Sequence, residues 1–184
     1  MFRINYNTRI VSDNLSSIAI DRAISRFYRD ITFTLKKTDE NGSLIKIIKD
    51  TTLDREAWII DIKKDCITLY SKGEEGGIYG LIYISQRYLK IKPLWYWCDQ
   101  HFTKKDYISV KEETISSQSH AFFLRGWFIN DEVLFLGWHP SKSDEEWEMA
   151  FEALLRLGGN IVIPGTDKNS RKYARLASDT MSLS

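Results

Sequence analysis

The chain has 184 residues, 43% of them hydrophobic, and its charged residues (28%) nearly balance to a formal net charge of +1. That length holds one large domain, or one compact domain and part of another. The charge balance excludes the basic footprint of a nucleic-acid-binding protein and an electrostatic hold on an acidic membrane.

Along the chain, residues 8–11 read as a short strand. From Ser17 to Asp30, Ile20, Ile24, Phe27 and then Ile31 recur at helical spacing behind a Ser16 or Ser17 cap. ITFTLKK (31–37) alternates and predicts a strand. DENGS (39–43) is a turn, and LIKIIK (44–49) another strand. In AWIIDIKKDCITLYS (57–71), Trp58, Ile60 and Ile62 alternate, residues 63–65 turn, and Ile67 and Leu69 alternate back, which predicts a hairpin. Residues 73–89 predict a helix with Ile78, Leu81, Ile82, Ser85 and Leu89 on one stripe. Gly77 and Gly80 allow something to approach its first turn closely. KPLWYWCDQHF (92–102) reads as an aromatic strand closed by Asp99, and 106–110 as a further strand. The polar, Ser-rich 111–120 reads as a linker and a domain boundary.

Beyond the linker, AFFLRGWFI (121–129) is a strongly apolar strand. SDEEWEMAFEALLRLGG (143–159) predicts a helix with a Ser143–Glu146 capping box, a buried face of Trp147, Phe151, Leu154 and Leu155, and Gly158 as left-handed cap. NIVIP (160–164) is a second strand. Strand, helix, strand of these lengths is a βαβ unit with parallel strands. Such a unit needs neighbours on both edges, and only about 20 polar residues follow Pro164. A (β/α)8 barrel takes roughly 250 residues. The second domain therefore reads as begun and unfinished, in a chain that is truncated.

Six Trp, nine Tyr and nine Phe make carbohydrate a partner to consider, since aromatic faces stack on sugar rings. Trp95 and Trp97, two apart, could form such a platform or pack on the preceding helix. The polar end of the apolar strand, Asn130, Asp131 and Glu132, could face a sugar pocket or be a solvated loop or cap. Arg125, inside that strand, must meet a carboxylate, a backbone carbonyl or a ligand. The glycines at 73, 76, 77 and 80 match no phosphate-binding loop, and Glu74 and Glu75 would repel phosphate. His101, His120 and His139 lack metal-ligand spacing, and no GxSxG elbow occurs. No metal or cofactor is expected. Cys66 and Cys98 lack CxxC spacing and give no disulfide framework; Cys66 reads as a small buried hydrophobe. MFRINYNTRI lacks the apolar core of a signal peptide, and no run of about 18 apolar residues exists. A soluble, cytoplasmic protein is the expectation.

Taken together, GIYGLIYISQRYLKIKPLWYWCD (77–99), KKDYISV (104–110), LRGWFINDE (124–132), GW (137–138) and FEALLRLGGNIVIP (151–164) resemble glycoside hydrolase family 115, the xylan α-glucuronidases. The resemblance spans about 57–179. The IYG helix recurs in accessory domains of β-hexosaminidases and family 67 α-glucuronidases. The resemblance implies an α/β chain: a small α+β accessory domain over 1–115 (a mixed sheet with two helices). Over 116–184 it implies the first βαβ unit of a truncated (β/α)8 barrel, opening near Ala121. It implies an exo-acting hydrolase that removes glucuronic acid or its 4-O-methyl ether from xylan with inversion, a fragment of which is inactive alone. Asn130, Asp131 and Glu132 are then pocket residues supported by Arg125, and a glucuronoxylan-type oligosaccharide is the partner, with no nucleic acid or membrane. The general acid and base are not assigned. Two departures stand out: Glu74-Glu75-Gly76-Gly77 replaces a Lys-Arg-Gly stretch, and IPGTDKNSR (163–171) replaces an aromatic-rich segment. The alternatives are a non-catalytic carbohydrate-recognition or interaction module sharing the accessory domain, and a self-contained α/β protein.

Overall fold

Isoleucine at every second position builds the first sheet of this computed structural model, which describes residues 1–118, 120–135 and 144–181. The chain divides into two units, Met1–Ser119 and His120–Ser184.

The first unit runs β1 (Phe2–Ile4), β2 (Arg9–Asp13), α1 (Ile18–Thr34), β3 (Leu44–Lys49), β4 (Trp58–Ile62), β5 (Cys66–Ser71), α2 (Glu74–Ile84), a π turn (Ser85–Leu89), β6 (Ile108–Val110) and β7 (Glu113–Ser116). Five strands form a mixed sheet in the order β2-β3-β5-β4-β7, and β1 pairs with β6. The β2-β3 and β3-β5 pairs are parallel; β4 is antiparallel to both β5 and β7. Ile45, Ile47, Ile60, Ile62, Ile67 and Leu69 are fully buried, while the residues between them are partly exposed. One face of the sheet is therefore the core, each such side chain contributing roughly 1.5–3 kcal/mol by its burial.

Two helices cover that core. Ser17 caps α1 by accepting from the Ile20 amide, and Ile20, Ala23, Phe27 and Ile31 are its buried stripe. α2 is buried nearly all round, and its glycines explain how. A Cβ on Gly76 would stand 2.4 Å from the Ala57 carbonyl oxygen, and one on Gly80 would stand 2.3 Å from Leu69 Cδ1. The helix lies directly on β4 and β5 because those positions carry no side chain. In its first turn, Glu75 pairs with Arg55 at 2.7 Å.

Four expectations for this unit are corrected. Residues 31–37 are not a strand: α1 continues to Thr34, and Leu35 makes only an isolated bridge with Lys105. Phe27, Ile31 and Thr34 extend the helical stripe, and alternation over five residues cannot be told from it. Residues 92–102 are turns rather than a strand. Lys90 adopts a left-handed conformation at φ 63°, Pro93 follows, and Gln100 closes the loop on the Lys92 amide and the Lys90 carbonyl. The polar stretch 111–120 contains β7, the edge strand of the sheet, where Thr114 donates to Asp61 at 2.8 Å. Polar residues suit an exposed edge. Cys66 opens β5 half-exposed rather than buried, and Cys98 is exposed; both are free thiols.

The second unit runs β8 (Gly126–Phe128), a single helical turn α3 (Asp131–Leu134), α4 (Glu145–Arg156), β9 (Ile161–Ile163) and α5 (Asp167–Met181). β8 and β9 are parallel, with Trp127 opposite Val162, as a βαβ unit requires. Gly158 is left-handed at φ 81° after α4. α4 begins from Asp144, left-handed at φ 68°; Ser143, Gly137, Trp138 and His139 lie outside the described residues. The apolar segment 121–129 pairs as a strand only over 126–128, and Phe122, Phe123 and Leu124 are exposed. The residues after Pro164 form a 15-residue helix. Tyr173, Ala177 and Met181, spaced by four, are its buried stripe, and Tyr173 stacks on Trp147 at 4.0 Å. Val162 is buried, whereas Phe128, Ile161 and Ile163 on the alternate positions are exposed. Among the described residues, the two-stranded sheet is thus covered on one face only.

Candidate functional site

Gly126 fixes where β8 meets β9. A Cβ there would stand 1.7 Å from the Ile161 carbonyl oxygen, so only glycine permits this pairing. From that register, the pairing runs on to Ile129, whose amide donates to the Ile163 carbonyl at 3.0 Å. Both strands then end together. Gly165 turns the chain at φ 81° after β9, and Asn130 carries the chain from β8 into α3. Asn130, Asp131 and Glu132 therefore stand at the carboxyl ends of two parallel strands, where open and closed α/β sheets place their ligands.

The three side chains differ. Asn130 and Glu132 are exposed and Asp131 is half-buried. One Asp131 oxygen accepts from the Thr166 amide at 2.9 Å and the Thr166 hydroxyl at 3.2 Å. Its other oxygen accepts from Asn169 Nδ2 at 2.5 Å. The same Thr166 hydroxyl stands 3.2 Å from Glu132 Oε1. Thr166 precedes α5, and its carbonyl accepts from the amides of Asn169 and Ser170, so the Asp131 carboxylate sits at the positive end of that helix. Burial pushes the Asp131 carboxyl up. The donors on Asn169 and Thr166 outweigh it and hold the group below the ordinary 3.8.

Arg125 lies at the other end of β8. Its Nε donates to the Gly158 carbonyl at 2.7 Å, and its Nη1 to the Phe122 and Phe123 carbonyls at 2.9 and 3.2 Å. Asn160 completes the clasp, accepting from the Arg125 amide at 2.8 Å and donating to the Phe123 carbonyl at 2.7 Å. The Arg-Gly and Gly-Gly-Asn pieces of the sequence are thus two halves of one backbone lock at the amino ends of both strands. Arg125 meets backbone carbonyls there, away from the acidic trio. Thr166 and Asn169 were missed in the sequence. The available signal was a threonine after Gly165 with an asparagine three residues on, a helix-start pattern.

The aromatic pair at 95 and 97 does not form one platform. Trp95 packs on α1, 5.2 Å from Phe33, with the Arg29 guanidinium 4.6 Å over its ring. Tyr96 separates it from Trp97, edge-on to both. Asp99, left-handed at φ 45°, is exposed in the turn. Among the described residues, no group of three His, Cys, Asp or Glu side chains could hold a metal ion, and no helix is long and apolar enough to cross a membrane.

The model of glycosyl hydrolase family 115 matches residues 117–181, a span that includes both strands, the acidic trio and the Thr166–Asn169 segment. Over that stretch the chain is similar to glycoside hydrolase family 115. The family's resemblance in the sequence is thereby upheld where the strand ends and the clasp lie. Among solved structures, the chain is similar over its whole length to BtGH115A, a family GH115 4-O-methyl-α-glucuronidase with specificity for decorated arabinogalactans (TM-score 0.72, 20% identity). It spans 29% of that protein's length. It is also similar to the GH20 β-N-acetylhexosaminidase from Streptomyces coelicolor A3(2), over 88% of this chain and 31% of that one (TM-score 0.62, 15% identity). A third likeness is to the Flavobacterium johnsoniae chitobiase, over 98% of this chain and 28% of that one (TM-score 0.58, 18% identity). No curated protein matches the chain in sequence. The chain is thus family 115-like over residues 117–181, and at these identities the solved structures speak for its fold.

Proposed function

We propose that this chain is the amino-terminal part of an exo-acting glycoside hydrolase that removes glucuronic acid or its 4-O-methyl ether from a decorated polysaccharide, with inversion. In this reading Met1–Ser119 is the accessory domain. The β8–α4–β9–α5 segment opens a (β/α)8 catalytic barrel. The exposed Phe128, Ile161 and Ile163 become the barrel's inner layer, and α4 and α5 its outer wall. The observation that carries the reading is the acidic trio at the carboxyl ends of two parallel strands, within the stretch the family model matches.

In this reading the trio is only part of the catalytic machinery. Inversion needs one carboxylic acid to protonate the leaving oxygen and one carboxylate to activate water on the opposite face of the ring. The two stand about 6.5–9.5 Å apart. The bonded oxygens of Asp131 and Glu132 each lie 3.2 Å from the same Thr166 hydroxyl, a close grouping that favours taking only one of them as acid or base. In this reading at least one member of the pair comes from another strand, and the segment by itself is expected to be inactive.

Glucuronoxylan is the substrate the sequence resemblance suggests; decorated arabinogalactan is suggested by the substrate of BtGH115A. The test is release of uronic acid by the full-length protein from oligosaccharides of both polymers, with the anomer of the first-formed product read by NMR. Inverted product from either upholds the reading. Retained product removes the inversion, and no uronic acid from either removes the activity. The likeness to the hexosaminidases favours a second reading, in which the first unit is a carbohydrate-recognition or interaction module without catalysis. Binding of oligosaccharide without turnover would be its mark.

A further inference from the structure

Resting on the glycosidase reading above, we infer that Asp131 is a positioning residue rather than an acid or base, acting with Thr166 and Asn169 to set the orientation of Glu132 at the mouth of the site. Three donors engage both oxygens of the Asp131 carboxylate: the Thr166 amide, the Thr166 hydroxyl and the Asn169 amide group. Each oxygen of a carboxylate so engaged already accepts from the protein, and its ionised form is the one the donors stabilise. It ties the end of β8 to the start of α5. The Thr166 hydroxyl, with one proton to share, stands 3.2 Å from both Asp131 and Glu132, so its position limits where Glu132 can point. Glu132 is exposed beyond the strand end, and it is the carboxylate of the pair that a substrate can touch. Gly165 is fitted to this arrangement: a Cβ there would stand 2.9 Å from Asp131 Oδ1 and 2.7 Å from Trp147 Cη2.

The test is an exchange of the two partners in the full-length protein. Asp131→Asn alone keeps an oxygen for the Thr166 amide but sets a new amide N–H2 toward that of Asn169, so the two side chains hold each other only if Asn169 turns its amide over. Adding Asn169→Asp restores a donor facing a carboxylate with the net charge unchanged, and leaves the residue at 131 an oxygen for the Thr166 amide. The single variant is expected to lower Tm by roughly 5 °C and kcat by about 100-fold, with KM little changed. The double exchange is expected to recover both. Glu132→Gln should lower activity and leave Tm in place. Hydrogen exchange at the Thr166 amide reads the clamp without substrate: slow in the wild type, faster in Asp131→Asn, slow again in the exchange. If kcat stays as low in the double exchange as in the single variant while Tm recovers, the carboxylate at 131 is itself needed and the inference is overturned. If amide exchange at Thr166 is the same in all three proteins, no clamp exists and the inference is equally overturned. Should the wild type release no uronic acid, the glycosidase reading fails, and the Thr166 exchange pattern still decides the positioning.

Discussion

The Ser85 hydroxyl donates a 2.6 Å hydrogen bond to the carboxylate of Asp30, a residue only 1% exposed. Asp30 lies on α1 and Ser85 in the π turn that continues α2, so one bond joins the two helices above the sheet. Arg29 Nη2 adds an ion pair to the other carboxylate oxygen at 3.0 Å. Removing the Ser85 hydroxyl leaves a buried charge with one partner fewer, which costs roughly 1.5–3 kcal/mol. Ser85→Ala should therefore lower the urea midpoint clearly. Adding Asp30→Ala should cost less than the two separate effects combined. Additive losses would show that the two groups are not coupled.

At Gly76 two effects oppose each other. Alanine is favoured over glycine in a helix by about 1 kcal/mol. A Cβ at this position would meet the Ala57 carbonyl oxygen at 2.4 Å and Ser71 Cβ at 2.9 Å, and the carbonyl belongs to backbone that cannot step aside. Overpacking of this kind costs about 1–3 kcal/mol. Gly76→Ala is predicted to destabilise, read as a fall in thermal midpoint. A gain would mean that α2 can lift from β4.

Glu152 and Arg156 pair one turn apart on α4 at 2.8 Å, with side chains 2% and 1% exposed. Breaking a buried pair strands a charge and costs about 3–5 kcal/mol, whereas replacing both partners by apolar residues of like volume is often neutral. Arg156→Met alone should be severely destabilising, and Glu152→Leu with Arg156→Met much less so. Equilibrium unfolding of the four proteins of this cycle checks it. A double variant as unstable as the single one would show that the helix needs the charges for more than each other.

The sheet was legible wherever alternation ran for five or six residues, as in β3, β4 and β5. The helices α1 and α4 were legible through Ile20–Phe27 and Trp147–Leu155. The reading failed where a short pattern had two explanations. Ile31 and Phe33 alternate, yet Ile31 is also four residues beyond Phe27, and the helix won because that stripe already lay on the core. Trp95 was read with Trp97 because alternation suggests a shared face; the turn after Lys90 instead sends Trp95 to Phe33 and Arg29. α5 was hidden by its polar composition, although Tyr173, Ala177 and Met181 keep a spacing of four. At the candidate site, the position of Asn130, Asp131 and Glu132 after an apolar strand was legible. Their separate environments were not, since Thr166 and Asn169 reach Asp131 from residues more than thirty positions away.

The acid limb of stability should carry the mark of Asp131. Its folded-state pKa lies below the ordinary 3.8, held there by Asn169 and Thr166 against the upward push of burial. The native chain therefore binds fewer protons than the unfolded one in this range, and stability rises with pH. The contribution is fully present above about 3.8 and is lost as pH falls through the lower, folded-state value. Asp131→Asn removes the titrating group, so the variant is less stable than the wild type near neutrality and the two converge in acid. Thermal midpoints of both proteins between neutral pH and the onset of acid unfolding test this. Other acidic groups titrate in the same window but are common to both chains, so their effect cancels in the difference. Curves that run parallel across the window would mean that the donors on Asn169 and Thr166 do not hold the carboxylate.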